Sequence, residues 1–271
     1  MADARDKPAA AVEIRGLSVA YDAALVLEQI DLDLPAGQLI AVAGPNGAGK
    51  STLLRTLVGS LKPNRGSVRI LGQPAEAQRR AGCIAYMPQH ELVDWDFPLS
   101  VHDLVLSGRF GRMRMAGGWR RFLLPSMAAD DHRQAVARAL EAVNLQDSAD
   151  RPIEALSGGQ RKRALLARTL AQDARLLLLD EPLVGVDRKS EELIMSVLCD
   201  QRSQGRTVVM VTHDIVGARR DADFAVLINR RVVGAGDPQE LLSDEMISRT
   251  ATAAWLSNRK QRSERDELEP A

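Results

Sequence analysis

At 271 residues, with 45% hydrophobic and 27% charged side chains, the chain has the make-up of one large or two small globular domains, not of a disordered or fibrous protein. Its formal charge is zero, so bulk electrostatics give no reason to expect nucleic acid as a partner, although local basic patches can still exist. The opening MADARDKPAAAVEIRG has no apolar core of signal-peptide length and no run approaches the roughly 18 apolar residues that span a bilayer, so a cytosolic protein is expected.

Residues 12–21 and 38–43 read as strands. Between them LVLEQIDLDLPAG, residues 25–37, alternates apolar and polar as a half-exposed antiparallel strand does. Next comes GPNGAGKST, residues 44–52, which fits G-x-x-x-x-G-K-[ST] in the context that pattern needs, after a strand and before a helix. Its glycines let the backbone wrap a polyphosphate so that successive N–H groups face the oxygens. Lys50 then neutralises the β/γ region and the Ser51 hydroxyl is offered to Mg²⁺. The following helix, 50–58, carries Leu53, Leu54, Leu57 and Val58 on one side and is expected to stop at Gly59.

The stretch MPQHELVDWDFPLS, residues 87–100, concentrates acids and aromatics in a chain that is only 3% aromatic, so it is a candidate for a specialised contact. A mostly helical region is expected from about 91 to 156, including a helix from about Asp131 with Val136, Ala139, Leu140 and Val143 inward. It ends at LSGGQRKRALLARTL, residues 156–170, where a Ser-Gly-Gly turn opens a basic helix. That is a second phosphate-binding helix N-terminus, and one nucleotide on one chain does not need two.

The runs RLLLLD (175–180) and TVVMVTHD (207–214) are continuously apolar and end in polar residues, as parallel strands covered on both faces do. Asp180 can hold the Mg²⁺ shell while Glu181 polarises a water. A strand-terminal carboxylate pair can equally be a helix cap or a solvated turn, but behind a phosphate loop catalysis is favoured. A helix with Asp187 as N-cap buries Leu193, Ile194, Val197 and Leu198 and ends near Gly205. FAVLINRRVVGAGDP, residues 224–238, reads as a two-stranded ribbon turning at Asn229 and Arg230, and NRKQRSERDELEPA, residues 258–271, as a charged, disordered tail. Cys83 and Cys199 are expected to be buried free thiols, and His90, His102 and His132 surface or capping residues.

From about 12 to 242 the chain resembles the ATP-binding subunit of ABC transporters, with every motif in order. GPNGAGKST is similar to the Walker A loop, Gln89 in MPQ to the Q-loop and LSGGQ to the signature. LLLLDEP is similar to Walker B, LVGVD to the D-loop, and His213 in VTHD to the switch histidine. The resemblance implies an α/β fold, a P-loop NTPase (RecA-like) core with an antiparallel β subdomain and an inserted α-helical subdomain. Residues 1–10 would be disordered and 11–242 the ATPase domain. Within it 11–89 and 158–242 would form the core plus β subdomain and 90–157 the helical subdomain, leaving 243–271 as a C-terminal extension.

The cofactors implied are ATP and Mg²⁺. Tyr21 would stack on adenine. Gly44, Pro45, Asn46, Gly47, Ala48, Gly49, Lys50, Ser51 and Thr52 would hold the phosphates, and Ser51, Gln89 and Asp180 the metal. Glu181 would be the general base, and His213 would orient the γ-phosphate and attacking water. Ser157, Gly158, Gly159 and Gln160 would bind the γ-phosphate of a nucleotide held by a second ATPase subunit, expected to be a second copy, with Asp187 communicating across that interface. Further implied partners are transmembrane permease subunits and, through them, an extracytoplasmic substrate-binding protein, with no nucleic acid. The chain would then sit peripherally on the inner face of the cell membrane.

VDWDFPLSVHDLVLSGRFGR and EPLVGVD resemble the transition-metal (manganese, zinc, iron) uptake subgroup, from which Leu183 and Val184 depart. Trp95 and Phe97 would be docking anchors for the permease, or would close the core of the helical subdomain itself. Asp94 and Asp96 would cap, turn or pair with permease basic groups rather than bind metal, which crosses the membrane elsewhere. GRFGRMRMAGGWRRF, residues 108–122, would be either a solvated face or a contact for lipid headgroups or permease carboxylates. The alternatives are an importer or exporter with another cargo, or a non-transport ABC ATPase. The last usually needs two linked ATPase units or a long coiled coil.

Overall fold

The computed structural model of the chain describes residues 10–21, 24–89, 93–115, 130–243 and 245–247. An antiparallel sheet of order β2-β1-β4-β5 is built from β1 (Ala10–Tyr21), β2 (Ala24–Pro35), β4 (Arg65–Ile70) and β5 (Gln73–Pro74). In β2 the alternation skips a beat, since Leu27 and then Ile30, Leu32 and Leu34 are buried. The step is absorbed at Gln29, whose φ is 47° and whose N–H donates to the Ser18 hydroxyl at 3.1 Å. A bulge there returns the apolar set to the core face.

The second sheet runs β10-β9-β3-β8-β7-β6, from β3 (Leu39–Ala43), β6 (Ile84–Met87), β7 (Leu176–Asp180), β8 (Thr207–Val211), β9 (Phe224–Asn229) and β10 (Arg231–Gly236). Only β10 is antiparallel to its neighbour. Every residue of β3, β7 and β8 is buried. The leucines of β7 alternate between two cores: Leu177 and Leu179 meet the helical region, Leu176 and Leu178 the core shared with the antiparallel sheet. A strand buried on both faces therefore reads as an unbroken apolar run, each leucine contributing at most about 2–3 kcal/mol.

The helices are α1 (Lys50–Val58), α2 (Ala75–Arg80), α3 (Val101–Ser107), α4 (Phe110–Met115), α5 (Asp130–Ala142), α6 (Gly158–Leu170), α7 (Arg188–Ser203), α8 (Ile215–Asp221) and α9 (Pro238–Leu241). Within the expected helical interval α3 and α5 pack on α6, and their apolar faces join the underside of the large sheet in one core. Expectation and structure agree on β3, α1, β7, β8 and the β9–β10 hairpin, where Arg231 pairs with Asn229. The short elements β4, β5, β6, α2, α8 and α9 carry too few residues for periodicity to announce them.

Some expectations need revision. Ala10, assigned to a disordered start, is already in β1, while residues 1–9 lie outside the described set. His132 is not a surface residue: it is 9% exposed on the inner side of α5 and accepts a hydrogen bond at Nδ1 from Arg109 Nε, 3.2 Å away. Cys83 and Cys199 are free but only half-buried. Ile247 is fully buried against Ile215, Leu241 and Leu242, so the C-terminal extension begins as packed structure. Its charged end, 258–271, and His90 lie outside the described residues.

Candidate active site

The loop between β3 and α1 is shaped by close approaches. Gly49 has φ 95°, and a Cβ there would sit 2.5 Å from a Leu27 methyl, so no other residue fits this turn. The Ala48 carbonyl accepts from Arg230 N–H of the β9–β10 turn at 2.9 Å, which fixes the loop from behind. Helix α1 has neither a side-chain N-cap nor an acid in its first turn. Its unsatisfied N–H groups and positive dipole end thus face a cavity of about 570 Å³ with no capping side chain among the described residues, as holding an anion requires.

Lys50 is buried, and its ammonium donates to the carbonyls of Gly44 and Pro45, both at 2.9 Å. Burial pushes its pKa down, and Glu181 and Asp180 pull it back up. A buried cation whose pKa burial has lowered gains much from an arriving phosphate.

Asp180, at the end of β7, is 2% exposed and its Oδ1 has no hydrogen-bond partner among the described residues. Burial pushes its carboxyl upward, and the Ser51 hydroxyl beside it acts in the opposite direction. Glu181 follows with φ 53°, a left-handed conformation that a residue with a Cβ adopts only under constraint. The turn aims its carboxylate into the cavity. There Oε2 accepts from Gln89 Nε2 at 2.6 Å, and Oε1 lies 2.5 Å from His213 Nε2. Three residues from three distant segments, each expected in the chemistry, meet at one carboxylate.

The cavity is lined by residues 46–52 together with Gln89, Glu181 and His213, by Val184 of the LVGVD string, and also by Val26, which motif reading did not single out. Val26 is an apolar strand residue outside every motif, so the sequence holds no signal for it. Tyr21 does not line the cavity. It is 40% exposed at the end of β1, with Arg55 beside its hydroxyl.

Ser157, Gly158, Gly159 and Gln160 are also absent from the cavity wall. Ser157 caps α6 and Gln160 closes the turn on Ser157 N–H at 3.0 Å, so Gln160 is spent on the turn itself. Asp187 caps α7 through Ser190 N–H at 2.9 Å and the Ser190 hydroxyl at 2.8 Å, which hold its carboxyl below the usual range. It also lies against the signature turn, since a Cβ on Gly159 would be 2.5 Å from Asp187 Oδ2.

In the segment after Gln89, Trp95 is half-buried against the helical core rather than presented outward, whereas Phe97 is 56% exposed. Asp94 makes a turn by accepting Asp96 N–H at 3.1 Å. Among the described residues no group of His, Cys, Asp and Glu could hold a metal ion by itself. No described helix is long and apolar enough to cross a membrane.

Comparison with known proteins identifies the family. The ABC transporter family model matches residues 27–184. The manganese transport system ATP-binding protein MntA of Synechocystis sp. is 39% identical, over 88% of this chain and 89% of its own length. The zinc transport system ATP-binding protein TroB of Treponema pallidum is 40% identical, over 88% and 86%. Among solved structures, an inward-facing metal-chelate type ABC transporter superposes with a TM-score of 0.74 at 30% identity, covering 89% of each chain. Matched by that family model over more than half of its length and by relatives about 40% identical, the chain belongs to the ABC transporter family, as an ATP-hydrolysing subunit.

Proposed function

We propose that the chain powers the import of a divalent transition-metal ion, working as a pair of identical copies beneath separate permease subunits. The observation that carries the ATPase chemistry is the Gln89–Glu181–His213 cluster facing the uncapped start of α1. The γ-phosphate would enter the N–H groups of α1 with Lys50 at its side. Glu181 would take a proton from the attacking water, and His213 Nε2–H would hold a γ-oxygen, while the leaving β-oxygen departs with ADP. Gln89 now occupies Oε2, a lone-pair site a water needs, so its release arms the base.

The orphaned Asp180 Oδ1 and the Ser51 hydroxyl beside that carboxylate are hard oxygen donors of the kind Mg²⁺ takes, and the Gln89 amide oxygen would join them. Bound there, Mg²⁺ would offset the negative charge of the β- and γ-phosphates.

Because the turn 157–159 lies away from the chain's own cavity, it would complete the site of a second copy facing head to tail. Phe97 would face the permease, and the assembly would lie against the inner face of the membrane. The cargo reading is supported by relatives named for manganese and zinc transport and by the DWDFP string. Uptake of labelled manganese, zinc and iron in a strain lacking this chain tests it. Loss of manganese or zinc uptake, restored by the wild-type chain and not by Glu181→Gln, is expected; normal uptake of all three ions would sink the cargo assignment.

A further inference from the structure

On the two-copy reading above, Gln89 serves the ATP bound by its own chain and the turn 157–159 serves the partner's. The two are joined within one chain. Arg161, in the first turns of α6, places its guanidinium carbon 4.8 Å from the centroid of the Trp95 ring. Its Nε donates to the Leu156 carbonyl at 3.1 Å and its NH2 to the Glu154 carbonyl at 3.2 Å, immediately before Ser157. The next residue, Lys162, donates to the Gln89 carbonyl at 3.4 Å. A planar cation held at its edge by two carbonyls and on its face by an indole is fixed in orientation, which an ammonium cannot reproduce. Neither Trp95 nor Arg161 lines the ATP cavity, so binding there does not require them.

We propose that Trp95 and Arg161 are a positioning pair that makes the segment after Gln89 and the signature turn one unit, so that filling one ATP site sets the geometry of the other. The proposal rests on the two-copy reading. A link between groups that serve different ATP molecules is a coupling free energy, and it shows as cooperativity in the ATP dependence of hydrolysis.

The test is steady-state hydrolysis by the full-length chain over a range of Mg-ATP. The wild type is expected to give a sigmoid. Trp95→Ala and Arg161→Ala should each flatten it toward a hyperbola and raise half-saturation about three- to tenfold, while binding of a fluorescent ATP analogue to the monomer is unchanged. Trp95→Phe and Arg161→Lys should retain part of the sigmoid and keep the proposal testable if an alanine variant fails to fold. The double alanine variant should be no worse than either single one. A hyperbolic wild type, a sigmoid that survives both substitutions, or additive losses would overturn the pair. If Glu181→Gln fails to dimerise with ATP, the two-copy reading itself fails; if it dimerises while the sigmoid survives both substitutions, only the positioning pair falls.

Discussion

Asp180 and Glu181 are neighbours in sequence with opposed surroundings. Asp180 is buried with one oxygen unpartnered, while Glu181 is held from both sides by Gln89 and His213. Because burial raises the Asp180 pKa, the folded chain binds its proton more tightly than the unfolded chain does. Stability contributed by this group is therefore present below its unfolded pKa of about 3.9 and falls as pH rises through the higher folded value. At neutral pH the buried carboxylate is a liability that Ser51 and Lys50 offset only in part and that a bound cation would relieve further. Asp180→Asn should raise Tm in EDTA without nucleotide, by roughly 2–4 °C for about 1 kcal/mol, and abolish Mg-dependent hydrolysis. A lower Tm, or surviving activity, would contradict this account. Glu181→Gln should instead keep ATP binding, lower kcat by about 10²–10⁴-fold and trap a dimer, read by single-turnover kinetics and size exclusion; a variant that turns over normally would remove Glu181 as the base.

At the scale of elements, the sequence was most legible where one residue type does one local job. The unbroken leucines of β7 betray a strand covered on both faces, and the Gly-Lys-Ser run betrays the start of α1. It was least legible where a side chain serves a distant backbone. Arg109 sits in a stretch whose charge suggests a solvated or lipid-facing surface, yet it is 5% exposed. It donates to the Ala171 carbonyl at 2.9 Å and to His132, and Arg112 donates to the carbonyls of Gln172 and Asp173 at 2.8 and 2.7 Å. Both cap the C-terminal end of α6, some sixty residues away, where the helix leaves carbonyls unsatisfied and its dipole favours cations. No local pattern encodes that pairing. For Trp95 the choice between docking anchor and core residue was not legible for the same reason, because its cover is Arg161 on another helix. Arg109→Met should cost about 1–3 kcal/mol and speed hydrogen exchange in the last turn of α6. The more exposed Arg112→Ala should cost less than about 1 kcal/mol. Equal losses would mean that burial is not what makes Arg109 matter.

For the whole molecule, the two-copy reading would leave one chain by itself with an incomplete site and a spare part. Its cavity has a phosphate loop and a base but nothing from residues 157–160, which sit elsewhere on the surface around α6. In the proposed pair of copies related by a two-fold axis, each copy would lend its signature turn to the other and so resolve both defects at once. This predicts complementation between two dead chains. Lys50→Ala loses its own phosphate grip but keeps a sound signature turn, whereas Ser157→Arg keeps its phosphate loop and spoils the site of its partner. Each alone should be inactive, because every site in its dimer carries one lesion. In an equal mixture the hybrid dimer gathers both lesions into one site and leaves the other intact. Half the dimers are hybrids and half their sites are sound, so independent sites would restore about a quarter of wild-type hydrolysis, and coupled sites less. Activity that never exceeds the sum of the separate chains would mean that the turn at Ser157 does not act across an interface.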